Sequence, residues 1–226
     1  MTKATQTLER IIKEDTDVSD IENKPTTADS SSIPDEKYII VMDVETNGLI
    51  KQRDITPTRD NLHMFPNLVQ FSWGLFTQTG ECNVMKDYII KPDGWTMNGK
   101  ESFHGITLEK AFKEGVGIKT VLNEYKSDIE NCCSNLVCHN LSFDKNVVLS
   151  EFIRHGMDLN GVGEFCTMKN TINYCRITPK VRGEYKWASL EQLYHQCFNE
   201  NLQNAHNSYY DVINCAKCYF AMKEMV

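Results

Sequence analysis

The chain has 226 residues, of which 41% are hydrophobic and 24% charged, a composition typical of a globular domain with its own core. No apolar stretch approaches the roughly 18 residues of a membrane-spanning helix, and the first residues carry no apolar signal core, so we expect neither a membrane partner nor secretion. Nine irregularly spaced cysteines favour a reducing compartment over a disulfide framework, and we therefore expect an intracellular, cytoplasmic protein.

The net charge of −7 at first argues against a nucleic-acid partner. Residues 1–37, however, hold nine acids against five bases, so the rest of the chain carries only −3. Metal ions bound to some of the remaining acids would cancel that charge locally. The segment 167–187 mixes basic and aromatic residues, which suits a single nucleic-acid strand and equally suits a solvated loop; these residues are Lys169, Tyr174, Arg176, Lys180, Arg182, Tyr185, Lys186 and Trp187.

The chain divides into a tail and one domain. Residues 1–36 are polar, and we predict a flexible tail ahead of a domain at 37–226. The apolar run 38–42 predicts a strand, and a hairpin follows at 68–76 and 84–90. Later elements alternate: a strand at 136–139, a helix at 142–155, a strand at 163–166, and helices at 190–198 and 208–222. This order predicts a single α/β domain with a mixed sheet.

The first chemically informative pair is Asp43 and Glu45, directly after the apolar run. Side chains at i and i+2 of a strand lie on the same face, so the two carboxylates stand side by side. Adjacent carboxylates repel each other, and a divalent metal ion with hard oxygen ligands is the usual compensation. The turn-forming sequence that follows would open them to a substrate. The pattern predicts a metal site at the tip of a strand.

Two further acids stand where helices are predicted to begin. Asp144 falls in the first turn of the helix after the strand at 136–139, with Asn140 or Ser142 as its cap. Asp211 falls in the first turn of the last helix, and His206 lies in the loop before it. Taken alone, each has an ordinary interpretation as a helix-terminal acid or a surface histidine.

Together the three motifs resemble the DEDDh 3′→5′ exonucleases, a family typified by the proofreading epsilon subunit of DNA polymerase III, ribonuclease T and oligoribonuclease. The motifs are Asp-x-Glu-Thr-x-Gly at 43–48, His-Asn-x-x-Phe-Asp at 139–144 and His-x-x-x-x-Asp at 206–211. The resemblance covers residues 38–224 and includes the segments 65–70, 104–107, 166–169 and 185–190. The variant of the family that uses a tyrosine as base needs that tyrosine four residues before the last acid. Asn207 occupies this position, so the chain resembles the histidine variant. Ser208 replaces the usual alanine, and we expect no loss of activity from it.

The resemblance implies a ribonuclease H-like fold, a mixed five-stranded sheet flanked by helices. It implies that Asp43 bridges two Mg²⁺ or Mn²⁺ ions, that Glu45 and Asp211 complete the ligands of the first ion, and that Asp144 serves the second. His206, with a reference pKa near ~6.5, would be the general base for the attacking water. The implied reaction releases nucleoside 5′-monophosphates from a 3′ end.

The family also implies contacts to the terminal nucleotide. They map to the turn after the first motif and to two rings, namely Thr46, Asn47, Gly48, Leu49, His104 and Phe143. For Leu49 and Phe143, plain core packing is an equally good interpretation.

We therefore expect a 3′→5′ exonuclease whose partner is a single strand with a free 3′ end, DNA in preference to RNA. One alternative is a nuclease that trims RNA, because the 2′-hydroxyl is read by only a few contacts. Another is a nucleic-acid-binding or polymerase-docking module that retains the fold. In either case the acidic tail at 1–36 could tether a polymerase or another protein.

Overall fold

Five strands form one mixed sheet in the computed structural model, which describes residues 37–178 and 183–223. The predicted tail at 1–36, Lys180 and Arg182 lie outside the described residues. The strands are β1 (Tyr38–Thr46), β2 (Leu68–Phe76), β3 (Cys82–Ile89), β4 (Cys133–Cys138) and β5 (Gly163–Cys166). Their order across the sheet is β3-β2-β1-β4-β5. The β3–β2 and β2–β1 pairs are antiparallel, whereas β1–β4 and β4–β5 are parallel, as a hairpin followed by crossover helices requires.

The three helices predicted at 142–155, 190–198 and 208–222 are present among the eight helices of the described residues, and the other five were not predicted. The eight helices are α1 (Glu101–His104), α2 (Leu108–Glu114), α3 (Ile118–Cys132), α4 (Leu141–Arg154), α5 (Thr167–Asn170), α6 (Ile172–Cys175), α7 (Leu190–Phe198) and α8 (Ser208–Lys223), with a 3₁₀ turn at Leu62–Met64. Strand β5 and helix α7 have the predicted bounds, and α4 begins and ends one residue earlier than expected. Helix α3 was not predicted.

The central strand is apolar because it is covered on both faces. On one face, Ile40 and Met42 pack in a core that includes Trp73 of β2 and residues of α3 and α4. The opposite face, with Ile39 and Val41, packs against α8. A strand buried on both faces has a continuous apolar sequence rather than an alternating one, as the run before Asp43 shows.

The face that α8 covers changes from apolar to polar along β1. Ile39 and Val41 belong to the core, and the next residues on that face are Asp43 and Glu45. In the β1–β2 register Asp43 stands opposite Ser72. The polar end of this face meets the first turn of α8, and it is here that the acids of the three motifs converge.

Among residues 37–178 and 183–223, the structure has no helix with both the length and the apolar character needed to cross a membrane.

Candidate metal centre

Three carboxylates meet where the polar end of β1 faces α8. Asp43, Glu45 and Asp211 each place an oxygen within 4.8 Å of the other two. Two of these acids come from one strand and the third from a helix about 170 residues later in the chain, so only the fold brings them together. Hard oxygen donors at this spacing are the kind of set that a divalent cation binds.

The start of α8 fixes the third carboxylate. The side chain of Asn207 caps the helix, because its Oδ1 accepts a hydrogen bond from the N–H of Tyr209 (3.1 Å). The Asp211 carboxylate folds back and accepts a hydrogen bond from the N–H of His206 (3.0 Å). The predicted helix start is thus confirmed, and Asp211 links the helix to the loop that carries His206.

Ser208 connects the same helix start to the sheet. It is fully buried, and its hydroxyl bonds to that of Ser72, the residue opposite Asp43. The hydroxyl of Ser72 donates to the carboxylate of Asp87 on β3 (2.7 Å), so Ser208 is the donor in the first bond. Ser208 therefore ties the helix that carries Asp211 to the strand beside Asp43.

Asp144 lies deeper and serves the sheet as well. It is 4% exposed, in the first turn of α4, and its Oδ1 accepts a hydrogen bond from the N–H of Val44 (3.2 Å). The pairing of β1 with β4 extends to Val41, so Asp144 engages β1 beyond the paired region. The predicted capping of α4 was wrong. Asn140 precedes the helix in a left-handed conformation (φ 66°) without a side-chain cap bond, and Ser142 is already inside the helix.

Apart from backbone hydrogen bonds to Asp144 and Asp211, little in the described residues compensates the charge of the four acids. Burial, with help from Asp144, Asp211 and Glu45, holds the pKa of Asp43 well above its usual range. Burial is also the main cause that raises the pKa of Glu45 to about 8, that of Asp144 to about 7 and that of Asp211 to about 6. In the described parts of the chain, no ion pair includes any of these acids. A metal cation fits this donor set, since it would supply the missing positive charge.

His206 stands at the rim of the centre. It is exposed, its backbone is left-handed (φ 67°), and its N–H contacts the carboxylate of Asp211. The structure thus places His206, the predicted general base, next to Asp211, a predicted metal ligand. The ring of His206 remains accessible to water.

The turn after β1 is held by Asn47. This residue is buried: its N–H donates to the carbonyl of Asn67 (3.2 Å), its Oδ1 accepts from the N–H of Asn67 (2.9 Å), and its Nδ2 donates to the carbonyl of Thr96 (2.7 Å). The Thr46 hydroxyl donates to the carbonyl of Gly48 (2.7 Å). With its groups engaged inside the chain, Asn47 shapes the turn rather than offering its own N–H to a ligand.

Leu49 and the two predicted rings differ in exposure. Leu49 is 70% exposed, so core packing does not explain it, and with Gly48 it lines a cavity of about 350 Å³. Phe143 is half-buried against the larger core. His104, a predicted contact to the terminal nucleotide, ends α1 and is buried; its Nδ1 accepts from the N–H of Ile106 (3.1 Å), while its Nε2 has no partner within the described residues. Burial lowers its pKa, so the ring is neutral near pH 7.

Two neighbours of the acids had no signal in the sequence. Gln70 stands opposite Glu45 and is 3% exposed; its Nε2 donates to Asp87 (2.7 Å) and its Oε1 has no partner in the described part of the chain. Glu191, in the first turn of α7, is close enough to add to the raised pKa of Asp211. The register of β1 with β2 and the packing of α7 on α8 place these residues, and neither can be read from local spacing.

Comparison with known proteins finds relatives in structure only. No protein-family profile matches the sequence, and no curated protein is similar to it at a significant level. Among solved structures, E. coli exonuclease I in complex with a dA16 oligonucleotide has a TM-score of 0.65 and 17% identity over 84% of this chain and 41% of that one. The zinc-bound form of the E. coli exonuclease I complex with single-stranded DNA has a TM-score of 0.67 and 16% identity, with the same two coverages. Exonuclease X in complex with 5′ overhanging duplex DNA has a TM-score of 0.55 and 19% identity, over 83% and 92%.

These similarities establish the fold. The chain spans about two fifths of exonuclease I and nearly all of exonuclease X. The predicted ribonuclease H-like fold is confirmed, because the chain forms a five-stranded mixed sheet with flanking helices and is similar in structure to these exonucleases.

Proposed function

We propose that the chain is a metal-dependent 3′→5′ exonuclease that hydrolyses single-stranded nucleic acid to nucleoside 5′-monophosphates. The observation that carries the proposal is the set of four buried or half-buried carboxylates whose charge is balanced by no ion pair in the described residues. The exonuclease activity of proteins with the same fold supports it.

Asp43, Glu45, Asp144 and Asp211 would hold two Mg²⁺ or Mn²⁺ ions. When bound, such ions activate water and neutralise charge on a phosphodiester and on its leaving 3′-oxygen. The four side chains therefore act as ligands in their charged forms. Their raised pKa values in the metal-free protein express the cost of holding that charge without a cation.

His206 would take the proton from the attacking water. Its position in the loop before α8, beside Asp211, keeps the ring at the rim of the centre and exposed. A neutral imidazole nitrogen within reach of the water can accept its proton as a general base.

The terminal nucleotide would lie against the turn after β1. Thr46, Gly48 and the exposed Leu49 would contact its 3′ end, with Asn47 holding the turn in shape. His104 and Phe143 would pack on its sugar and base. DNA is the proposed substrate, since exonuclease I was captured with DNA oligonucleotides and exonuclease X with overhanging duplex DNA. Proofreading beside a polymerase, reached through residues 1–36, would suit such an enzyme.

Analysis of the products tests this proposal. A single-stranded oligonucleotide with a free 3′-hydroxyl should yield nucleoside 5′-monophosphates on chromatography, in a reaction that EDTA stops. Internal fragments, or nucleoside 3′-monophosphates, would contradict the proposed polarity and chemistry. Faster loss of an RNA oligonucleotide of the same sequence would favour the RNA-trimming alternative. Binding without any cleavage would favour the docking module.

A further inference from the structure

The segment before α7 is attached to the edge of the candidate metal centre through His139. This residue directly follows β4, whose parallel register pairs Val137 with Val41, so it leaves the sheet near the level of Asp43. Its Nε2 is 3.1 Å from the carbonyl oxygen of Ala188, and its Nδ1 is 2.9 Å from the hydroxyl of Thr167. A carbonyl only accepts, so Nε2 carries the hydrogen of the bond to Ala188. His139 thus holds Ala188 at the carboxylate edge.

A second observation places the same segment beside the last ligand. Helix α7 begins with a capping box, in which Ser189 and Gln192 exchange hydrogen bonds of 3.3 and 3.0 Å. This fixes the first turn of the helix, and Leu190 in that turn packs on the core cluster that includes Val41 of β1 and Val212 of α8. Residues 188–191 therefore border both β1 and the start of α8.

Two aromatic rings project into solvent just before this anchor. Tyr185 is 43% exposed and Trp187 58% exposed, whereas Ala188 beside them is buried. The residue between them, Lys186, is held by its backbone, since its N–H donates to the carbonyl of Ile177 (2.9 Å). The backbone is thus fastened on both sides while both rings remain partly exposed. Leaving an indole in water forgoes the stabilisation that burial of a large apolar side chain gives, which is typical of a binding surface.

Positive charge accompanies these rings. Lys169 lies on α5, whose first residue, Thr167, is in contact with His139. Arg176 directly precedes Ile177, whose carbonyl accepts from the N–H of Lys186. Both cations are therefore attached to the segment that carries the two rings. Lys169, Arg176 and Lys186 are exposed, and the ion pairs found in the described residues include none of them. Exposed acids nearby in the chain are Glu184 and Glu191. The surface formed by Lys169, Arg176, Tyr185, Lys186 and Trp187, called here the aromatic rim, combines cations with free aromatic faces.

We propose that the aromatic rim binds the unpaired bases of a nucleic-acid strand whose 3′ end occupies the candidate metal centre. This inference rests on the proposed function and names the form of its substrate. Tyr185 and Trp187 would stack on bases, and the three cations would contact phosphates. A paired duplex buries its base faces in its own stack, so the rim favours single strands over duplexes.

Binding measurements in an inactive background test the proposal. Asp43→Asn/Glu45→Gln protein is titrated with a fluorescent single strand of about 12 nucleotides, without metal, and anisotropy gives the affinity. Adding Trp187→Ala should weaken single-strand binding roughly tenfold or more, as loss of one stacking partner does. Trp187→Tyr should recover most of the affinity because any aromatic ring stacks, whereas Trp187→Leu should not. The matched control is Phe112→Ala, which removes a 52% exposed ring from α2 and should leave affinity unchanged.

The outcomes separate this proposal from the proposed function. Equal affinity of the parent and Trp187→Ala proteins, or full recovery by Trp187→Leu, would overturn the stacking role even if the wild type degrades DNA. Loss of single-strand affinity with recovery by Trp187→Tyr would support the rim even if no cleavage were found, and the failure would then lie in the proposed function. Thermal melting of each variant identifies any that has failed to fold. If Trp187→Ala fails to fold, comparison of Trp187→Tyr with Trp187→Leu still tests the stacking role.

Discussion

The four acids of the centre differ in their hydrogen bonds and in their charged neighbours, and these differences affect their pKa values. Asp144 accepts a backbone N–H from β1, which offsets part of the cost of burying it. Asp43 has three carboxylates as neighbours, and its pKa is held far above the ordinary value. A protein that keeps such a set of acids stores unfavourable electrostatic energy, which a bound cation would remove.

This leads to a prediction about pH. Glu45, Asp144 and Asp211 have pKa values of about 8, 7 and 6 in the folded protein, against 4.5, 3.8 and 3.8 for the ordinary groups. Between those values the metal-free folded chain binds more protons than the unfolded chain, so its stability falls as pH rises from about 4 to about 8. A divalent cation favours the deprotonated acids. Mg²⁺ should therefore raise the melting temperature more at pH 8 than at pH 5.5.

Thermal melts with Mg²⁺ or EDTA at both pH values measure this effect. The control variant is Asp43→Asn/Glu45→Gln, in which the difference between the two pH values should shrink because two of the titrating acids are gone. An equal effect of Mg²⁺ at both pH values in the wild type would contradict the uncompensated centre.

The role of His206 can be separated from metal binding. His206→Ala should retain affinity for Mn²⁺ in calorimetry, because its contact with Asp211 is made by the backbone. The turnover rate should fall by about 10²- to 10⁴-fold, as loss of a general base does. His195→Ala is the matched control, since it removes an exposed histidine from α7. Unchanged turnover of His206→Ala would rule out the proton-accepting role.

The four acids of the centre and His206 could be found from the sequence because each stands at a fixed distance from a strand or helix end. The surroundings of these residues could not be predicted from the sequence. Ser72 and Gln70 are neighbours of Asp43 and Glu45 only through strand register, and the exposure of Leu49 depends on the path of the following loop.

Among the elements, the start of α8 controls the geometry of the centre. Ser208 is fully buried and bonds to Ser72, so its small volume and its hydroxyl both matter. Ser208→Ala should lose one hydrogen bond, cost about 1 kcal/mol of unfolding free energy and retain activity. Ser208→Val should cost about 1–3 kcal/mol through overpacking and should weaken metal binding by shifting Asp211.

Urea unfolding and Mn²⁺ titration of the two variants distinguish these effects. If Ser208→Val were as stable as Ser208→Ala and bound Mn²⁺ as tightly, the packing of α8 against β2 would not set the position of Asp211.

Element prediction succeeded where a pattern was long or was bounded by turns. The hairpin of β2 and β3 has its predicted turn, in which the N–H of Gly80 donates to the carbonyl of Thr77. Helix α3 was missed although its buried residues recur at helical spacing, namely Ile118, Val121, Leu122, Tyr125 and Ile129. The four-residue helices α1, α5 and α6 span about one turn each, which is too short for any periodicity to show.

For the whole molecule, the overall charge is a poor guide to its partner. The net charge of −7 includes the acids of the tail and those that converge on the centre. The aromatic rim carries three exposed cations at the border of that centre. A negative chain can therefore bind a polyanion if its acids hold metal ions and its bases lie along the path of the strand.

The tail can be tested by truncation. Protein consisting of residues 37–226 should retain its exonuclease rate, because every residue of the centre lies within that range. Rates on a labelled single strand, measured beside the full-length chain, test this. Retained activity with lost association to a polymerase would assign residues 1–36 to docking, and lost activity would show that the tail contributes to catalysis.

The most direct test of the central claim is the degradation of a 5′-labelled single strand with Mg²⁺, Mn²⁺ or EDTA, by wild type and by Asp43→Ala/Glu45→Ala protein. We predict a ladder that shortens from the 3′ end only when metal is present and that is absent in the variant. DNA and RNA strands run in parallel should show DNA degraded faster. No cleavage of either strand by the wild type with metal, or equal cleavage by the variant, would contradict a carboxylate-held metal centre that degrades nucleic acid.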